Sequence, residues 1–229
     1  MKARKILVSL AALALVAAIS IGGTLAYLTS TDKVENTFTV GKIGMTMDEA
    51  LVNEDGKPVK RSEDGTTLTE VGNPGEATRV NENSYKIMPG HTYTKDPTIY
   101  VAAKSEASYV FIAVKNEVAK YEAATASGGY TQINDQIMAN GWIAATDITA
   151  PTGYTIYYKT QAATGNTAET LPIFSNFKIA DNAESVDGYA NFNGNVNIFA
   201  FAVQQDGFTG YANAWAEAGF GAKLNTLIG

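Results

Sequence analysis

The chain of 229 residues has no cysteine, one histidine and six prolines. Without cysteine there can be no disulfide framework, no thiolate zinc site and no thiol nucleophile, so the fold must be held by packing. With one histidine, His91 in "MPGHTYTKDP", there is no HExxH pair, and a Ser-His-Asp arrangement would have to pass through that single ring, with no GxSxG to accompany it. His91 reads as a turn residue after Pro89-Gly90. The glycine pairs lack the Lys-Ser/Thr and the strand-to-helix setting of a phosphate-cradling loop. Basic residues are outnumbered, 17 against 23 acidic, and three of the 17 lie in the first five positions. An acidic balance of this kind carries no electrostatic footprint for nucleic acid.

What is present begins with an export signal. Met1 to Lys5 are short and basic, and Ile6 to Ile21 run without a charge (ILVSLAALALVAAISI). A glycine pair, Gly22-Gly23, then breaks the apolar helix. Thr24-Leu25-Ala26 follows and places small side chains where a signal peptidase needs them. The layout predicts cleavage between Ala26 and Tyr27, with residues 1–26 removed. The alternative is an uncleaved anchor, which needs about 20 apolar residues and would have to run on through the glycines to Leu28.

The remainder reads as all-β. Twelve Tyr and nine Phe stand among plentiful Thr, Val and Ile, a mixture suited to strands. In "NTFTVGKIGMTM" the apolar residues alternate as Phe38, Val40, then Ile43, Met45 and Met47. The phase slips by one at Gly41, as at a β-bulge. Further strands are predicted at 97–103, 108–116, 154–160, 171–180 and 195–204. "SYVFIAVKN" and "NVNIFAFAVQ" are nearly continuous apolar runs and so imply strands covered on both faces or central to a sandwich. Turn clusters separate them: Ser127-Gly128-Gly129, Pro151-Thr152-Gly153, Thr164-Gly165-Asn166 and Asp187-Gly188. Two short helices are expected, over 131–140 and 211–220, as covers over a sheet edge or end. The polar stretch 48–96, with Asp55-Gly56 and Asp64-Gly65, reads as an insertion of hairpins. Its acidic turns do not have EF-hand spacing. The Tyr-rich "YTIYYKT" offers aromatic faces for sugar, but a half-buried strand of this composition is more often core packing.

The stretch "GGTLAYLTSTDKVENTFTVG" resembles the signal-and-start motif of the TasA/camelysin family, exported proteins of Gram-positive bacteria processed by a dedicated SipW-type signal peptidase. The matching residues are Gly22-Gly23, Thr24-Leu25-Ala26, Tyr27, and Thr37-Phe38 through Gly41. "MPGHTYTKDPTIYV", "SYVFIAVKN", "LPIFSNFKI" and "IFAFAVQQDGF" with Ala214-Trp215 are similar to the family's strand motifs, and 48–86 carries no likeness. The resemblance implies a jelly-roll-like antiparallel β-sandwich over 42–229. The residues themselves offer no catalytic residue, no cofactor site and no metal site. The resemblance also implies a structural subunit that polymerises with copies of itself, with or without accessory fibre proteins, into extracellular matrix fibres. The joining element would be the strand at 27–41, with Phe38 and Val40 as its apolar contacts, donated to a neighbour after cleavage. Membrane contact would then be limited to the uncleaved signal. Some members carry a metallo-endopeptidase label, which is the alternative activity. A surface adhesin or sugar-binding module is the other class.

Overall fold

The computed structural model describes residues 29–32, 43–125 and 129–229. Within them the chain is an antiparallel β-sandwich. One sheet has five strands in the order β1 (Thr29–Asp32), β13 (Val196–Gln204), β8 (Ser108–Asn116), β10 (Thr155–Gln161), β9 (Ile143–Ala144). The other has four: β11 (Glu169–Pro172), β7 (Thr98–Val101), β2 (Met45–Ala50), β5 (Arg79–Val80). Two small ladders complete it, β6 (Thr92–Thr94) with β12 (Asn176–Lys178) and the hairpin β3 (Val59–Arg61) with β4 (Leu68–Glu70).

The two-residue period of a strand decides what each sheet buries. From the four-stranded sheet, Met45, Met47, Ile99, Val101 and Leu171 point into a common core; from the five-stranded sheet it receives Val110, Ile112, Val114, Ile198, Ala200 and Ala202. The intervening residues of β8 and β13, Phe111, Ala113, Phe199, Phe201 and Val203, point the other way into a second core. That second core is closed by two C-terminal helices, α2 (Tyr211–Glu217) and α3 (Phe220–Ile228), through Ala214, Trp215, Ala218, Phe220 and Leu224. The two apolar runs are therefore covered on both faces, one by a sheet and one by helices.

Helix α1 (Ile133–Ala139) turns Ile133 and Ile137 into the sandwich core. Its N-terminus has no side-chain cap of its own; instead the distant Glu122 Oε1 accepts the Ile133 N–H at 2.9 Å and the Tyr130 hydroxyl, while Oε2 accepts from Asn116 Nδ2 at 3.0 Å. The orphan donor at the helix start is satisfied by a buried carboxylate from another segment.

Four expectations change in detail. The predicted strand 171–180 is two strands, β11 and β12, in different ladders, with Ile173 and Phe174 both buried at the corner between them. The helices number three among the described residues, because Phe220–Ile228 adds one that the glycine-rich end did not announce. The C-terminal pair lies over a sheet face, not over an edge or end. The polar insertion is narrower than 48–96, since Met45–Ala50 and Thr92–Thr94 belong to ladders of the sandwich and Tyr93 is fully buried. What projects is chiefly the β3–β4 hairpin and its turns. Gly56, at φ +74°, must be glycine for a second reason: a Cβ there would meet the Tyr93 ring at 2.3 Å. No helix among the described residues is long and apolar enough to cross a membrane.

Candidate functional site

The segment proposed as a donor strand is partly in view. Thr29–Asp32 form β1, which lies antiparallel on the outer edge of β13 in the register Thr29↔Val203, Ser30↔Ala202, Thr31↔Phe201, Asp32↔Ala200. The cleavage pair Ala26 and Tyr27, the apolar contacts Phe38 and Val40, and the bulge at Gly41 lie outside the described residues, as does the whole of 1–26.

β13 is matched along its full length, Val196 to Gln204, by β8 on its inner side. On its outer side β1 accounts for Ala200 to Val203 only. Among the described residues no strand pairs with Val196–Ile198 on that side. The edge of a sheet presents backbone N–H and C=O groups on which an extended chain can add.

Beside that stretch runs a groove of about 1050 Å³ between the two layers. Met47, Ile87, Val118, Phe177, Phe192 and Ile198 give it an apolar floor, and Asn81, Asn83, Asn193, Asn195 and Asn197 a polar rim. Apolar pockets below and hydrogen-bonding groups above suit a strand whose alternate side chains point in and out. Leu227, from the last helix, reaches the same groove.

A charged cluster stands at the base of the hairpin arm, and its Asp48, Glu49 and Lys95 line the groove. Arg79 Nε donates to Asp48 Oδ1 and Arg79 Nη1 to Asp96 Oδ2, both at 2.7 Å, while Asp96 Oδ1 accepts the Ala50 N–H at 2.6 Å. Burial alone would lower the Arg79 pKa, but Asp96 and Asp48 outweigh it and hold the guanidinium charged more firmly than usual. Next to it, Glu49 is 4% exposed and bonds Lys95 Nζ at 2.6 Å and Asn83 Nδ2 at 2.8 Å. None of these residues was singled out from the sequence. The available signal was Glu49 itself, which follows Met45 and Met47 in the same two-residue phase and so had to be buried with a partner.

The other sequence candidates resolve into local structure. His91 is exposed, and its Nδ1 lies 3.0 Å from the Pro89 carbonyl oxygen. Among the described residues no three or more His, Cys, Asp or Glu side chains are grouped to hold a metal. No family model, no curated protein and no solved structure matches this chain. In "YTIYYKT", Tyr157 is buried in the sandwich core, and Tyr158 has one face covered by Tyr211 at 3.9 Å between ring centres. Those two rings are engaged in packing.

The acidic turns also use their oxygens internally. Asn53 Oδ1 accepts the N–H groups of Asp55 and Lys57. Asp64 Oδ1 accepts Ser62 Oγ at 2.5 Å and the Thr66 N–H at 3.1 Å, which lowers its pKa from the ordinary 3.8 to about 2, the Ser62 hydroxyl being the largest cause. Because the folded-state pKa is depressed, the turn's contribution to stability is present above pH 3.8 and lost as pH falls through about 2. An NMR titration of the Asp64 carboxyl is expected to show its midpoint near 2, and Ser62→Ala to move it back toward 3.8. A wild-type midpoint at 3.8 would disprove the bonded turn.

Proposed function

We propose that this chain is an exported structural subunit of the TasA/camelysin type, which polymerises outside the cell by strand addition after its signal peptide is removed. The observation that carries the reading is the strand pairing on the outer edge of β13. A piece of the same segment predicted to be released by cleavage, Thr29–Asp32, already pairs there within one molecule. An edge that accepts part of this segment from its own chain can accept the same segment from a second copy. A second copy supplying residues 27–41 would extend the pairing toward Val196 and lay apolar side chains over the adjoining groove.

In this reading the signal peptide is the assembly switch. While residues 1–26 hold the segment at the membrane it cannot enter a neighbour, and cleavage at Ala26-Tyr27 frees it. Self-association through one donated strand is head-to-tail, and contacts of that kind give open filaments when the rotation does not close.

The test is negative-stain electron microscopy of purified chain beginning at Tyr27 beside chain beginning at Lys42, with folding of both checked by circular dichroism. Filaments are expected from the first alone. If both versions are folded and neither forms filaments at high concentration, the subunit reading fails. If both form them, the N-terminal strand is not the joint.

A further inference from the structure

Glu49, Lys95 and Asn83 form an arrangement that an ordinary ion pair does not need. Lys95 Nζ sits 2.6 Å from Glu49 Oε2, and Asn83 Nδ2 sits 2.8 Å from Glu49 Oε1. One buried carboxylate thus bonds a primary amine through one oxygen and a carboxamide through the other. The amide oxygen of Asn83 accepts the Val52 N–H at 3.0 Å, and Nδ2 also donates to the Ala50 carbonyl at 2.9 Å. The Tyr85 ring centre lies 5.8 Å from Nζ. Glu49 is 4% and Lys95 9% exposed.

An amine condenses with a carboxamide when it is neutral, when the carbonyl is polarised, and when one group can move protons between the two nitrogens. Residues in contact here bear on each of the three. The 2.6 Å bond from Lys95 Nζ to Glu49 Oε2 is the path by which the amine can hand over a proton before it attacks. The Val52 N–H is aimed at the oxygen on which negative charge would develop. Glu49 touches both nitrogens and is placed as the proton carrier.

We propose that Lys95 and Asn83 are joined by a self-formed amide cross-link, with Glu49 as the group that promotes it. The Lys95 Nζ–Asn83 Cγ bond forms and the Asn83 Cγ–Nδ2 bond breaks. Nζ gives up two protons through Glu49, both leave with Nδ2 as ammonium, and Glu49 ends as the carboxylate it began. Nothing is oxidised or reduced. All three residues also line the groove, which gives the ammonium a way out. The link would tie the returning end of the hairpin arm to the lead-in of β7, a covalent staple in a chain that has no cysteine for one.

Asn83 precedes Ser84, and attack by the Ser84 backbone nitrogen would release the same ammonia without joining Lys95. Peptide mapping of the denatured full chain separates these outcomes. Trypsin cuts after Arg79, Lys86, Lys95 and Lys104, so an unlinked chain gives 80–86, 87–95 and 96–104. The cross-linked chain is expected to give 80–86 bonded to 87–104, uncut at Lys95 and lighter than their sum by one ammonia. Lys95→Arg should abolish that product, and Glu49→Gln should abolish it in protein still folded by circular dichroism. Separate unmodified peptides from the wild-type chain, or ammonia loss confined to 80–86, would overturn the cross-link. An equal yield of linked peptide from Glu49→Gln would overturn the role given to Glu49.

Discussion

Phe220→Ala is expected to lower the free energy of unfolding by about 3–5 kcal/mol, the range for deleting a buried aromatic side chain from a packed core. Phe220 is fully buried at the start of α3 and stands among the rings of Phe201 at 5.1 Å, Trp215 at 5.6 Å and Phe111 at 5.8 Å between centres. These rings come from β8, β13 and α2, so the one side chain joins both strands to both helices of the outer layer. The total stability of a domain is about 5–15 kcal/mol, so a loss of this size takes a large share of it. The control is Ile228→Ala on the same helix, at a side chain 36% exposed, where little change is expected. Urea denaturation followed by tryptophan fluorescence measures both. A Phe220→Ala loss below about 1 kcal/mol would mean that α3 does not close the second core in solution.

That helix also marks where the sequence stopped being legible. "SYVFIAVKN" shows its strand bounds by composition alone, and β8 occupies the same nine residues. A strand with large apolar residues in both phases must be covered twice, a deduction that needs no knowledge of the cover. The cover itself was harder to see. α3 begins after Gly219, contains Gly221 and ends at Gly229, and glycine is a poor helix former; only tertiary burial of Phe220 and Leu224 makes it a helix. The division of "LPIFSNFKIA" was hidden for a related reason. Two adjacent buried residues, Ile173 and Phe174, break the alternation where the chain passes from one ladder to another, and local pattern cannot distinguish a corner from a continuous strand.

The functional region divides in the same way. The export layout was read from local composition and the 27–41 segment was proposed as a donor from the family resemblance; Thr29–Asp32 within it is a strand. Its partner strand could not be read, because strand order is not a property of β13's own residues. The charged cluster was hidden by distance along the chain: Asp48, Arg79 and Asp96 are each unremarkable in a polar region, and the fold alone brings them together.

Arg79→Met is expected to cost about 3 kcal/mol, the low end of the range for breaking a buried ion pair, because these side chains keep some contact with water. Arg79 is 24% exposed, against 27% for Asp48 and 18% for Asp96. Its two carboxylate partners sit at the ends of different segments, one in β2 and one before β7, so the guanidinium is what makes their proximity favourable. Removing it leaves two half-buried carboxylates facing each other without a cation, a penalty separate from the lost attraction. The cost should therefore shrink when the negative charges are removed as well. In Arg79→Met combined with Asp48→Asn and Asp96→Asn, the expected loss is smaller than in Arg79→Met alone, a coupling that thermal or urea unfolding of the single, double and triple variants resolves. Equal losses from Arg79→Met and from the triple variant would show that the arginine acts by packing its stem and not by its charge. The geometry favours charge, since Asp96 is already fixed by the Ala50 N–H and cannot turn away to water without giving up that bond as well.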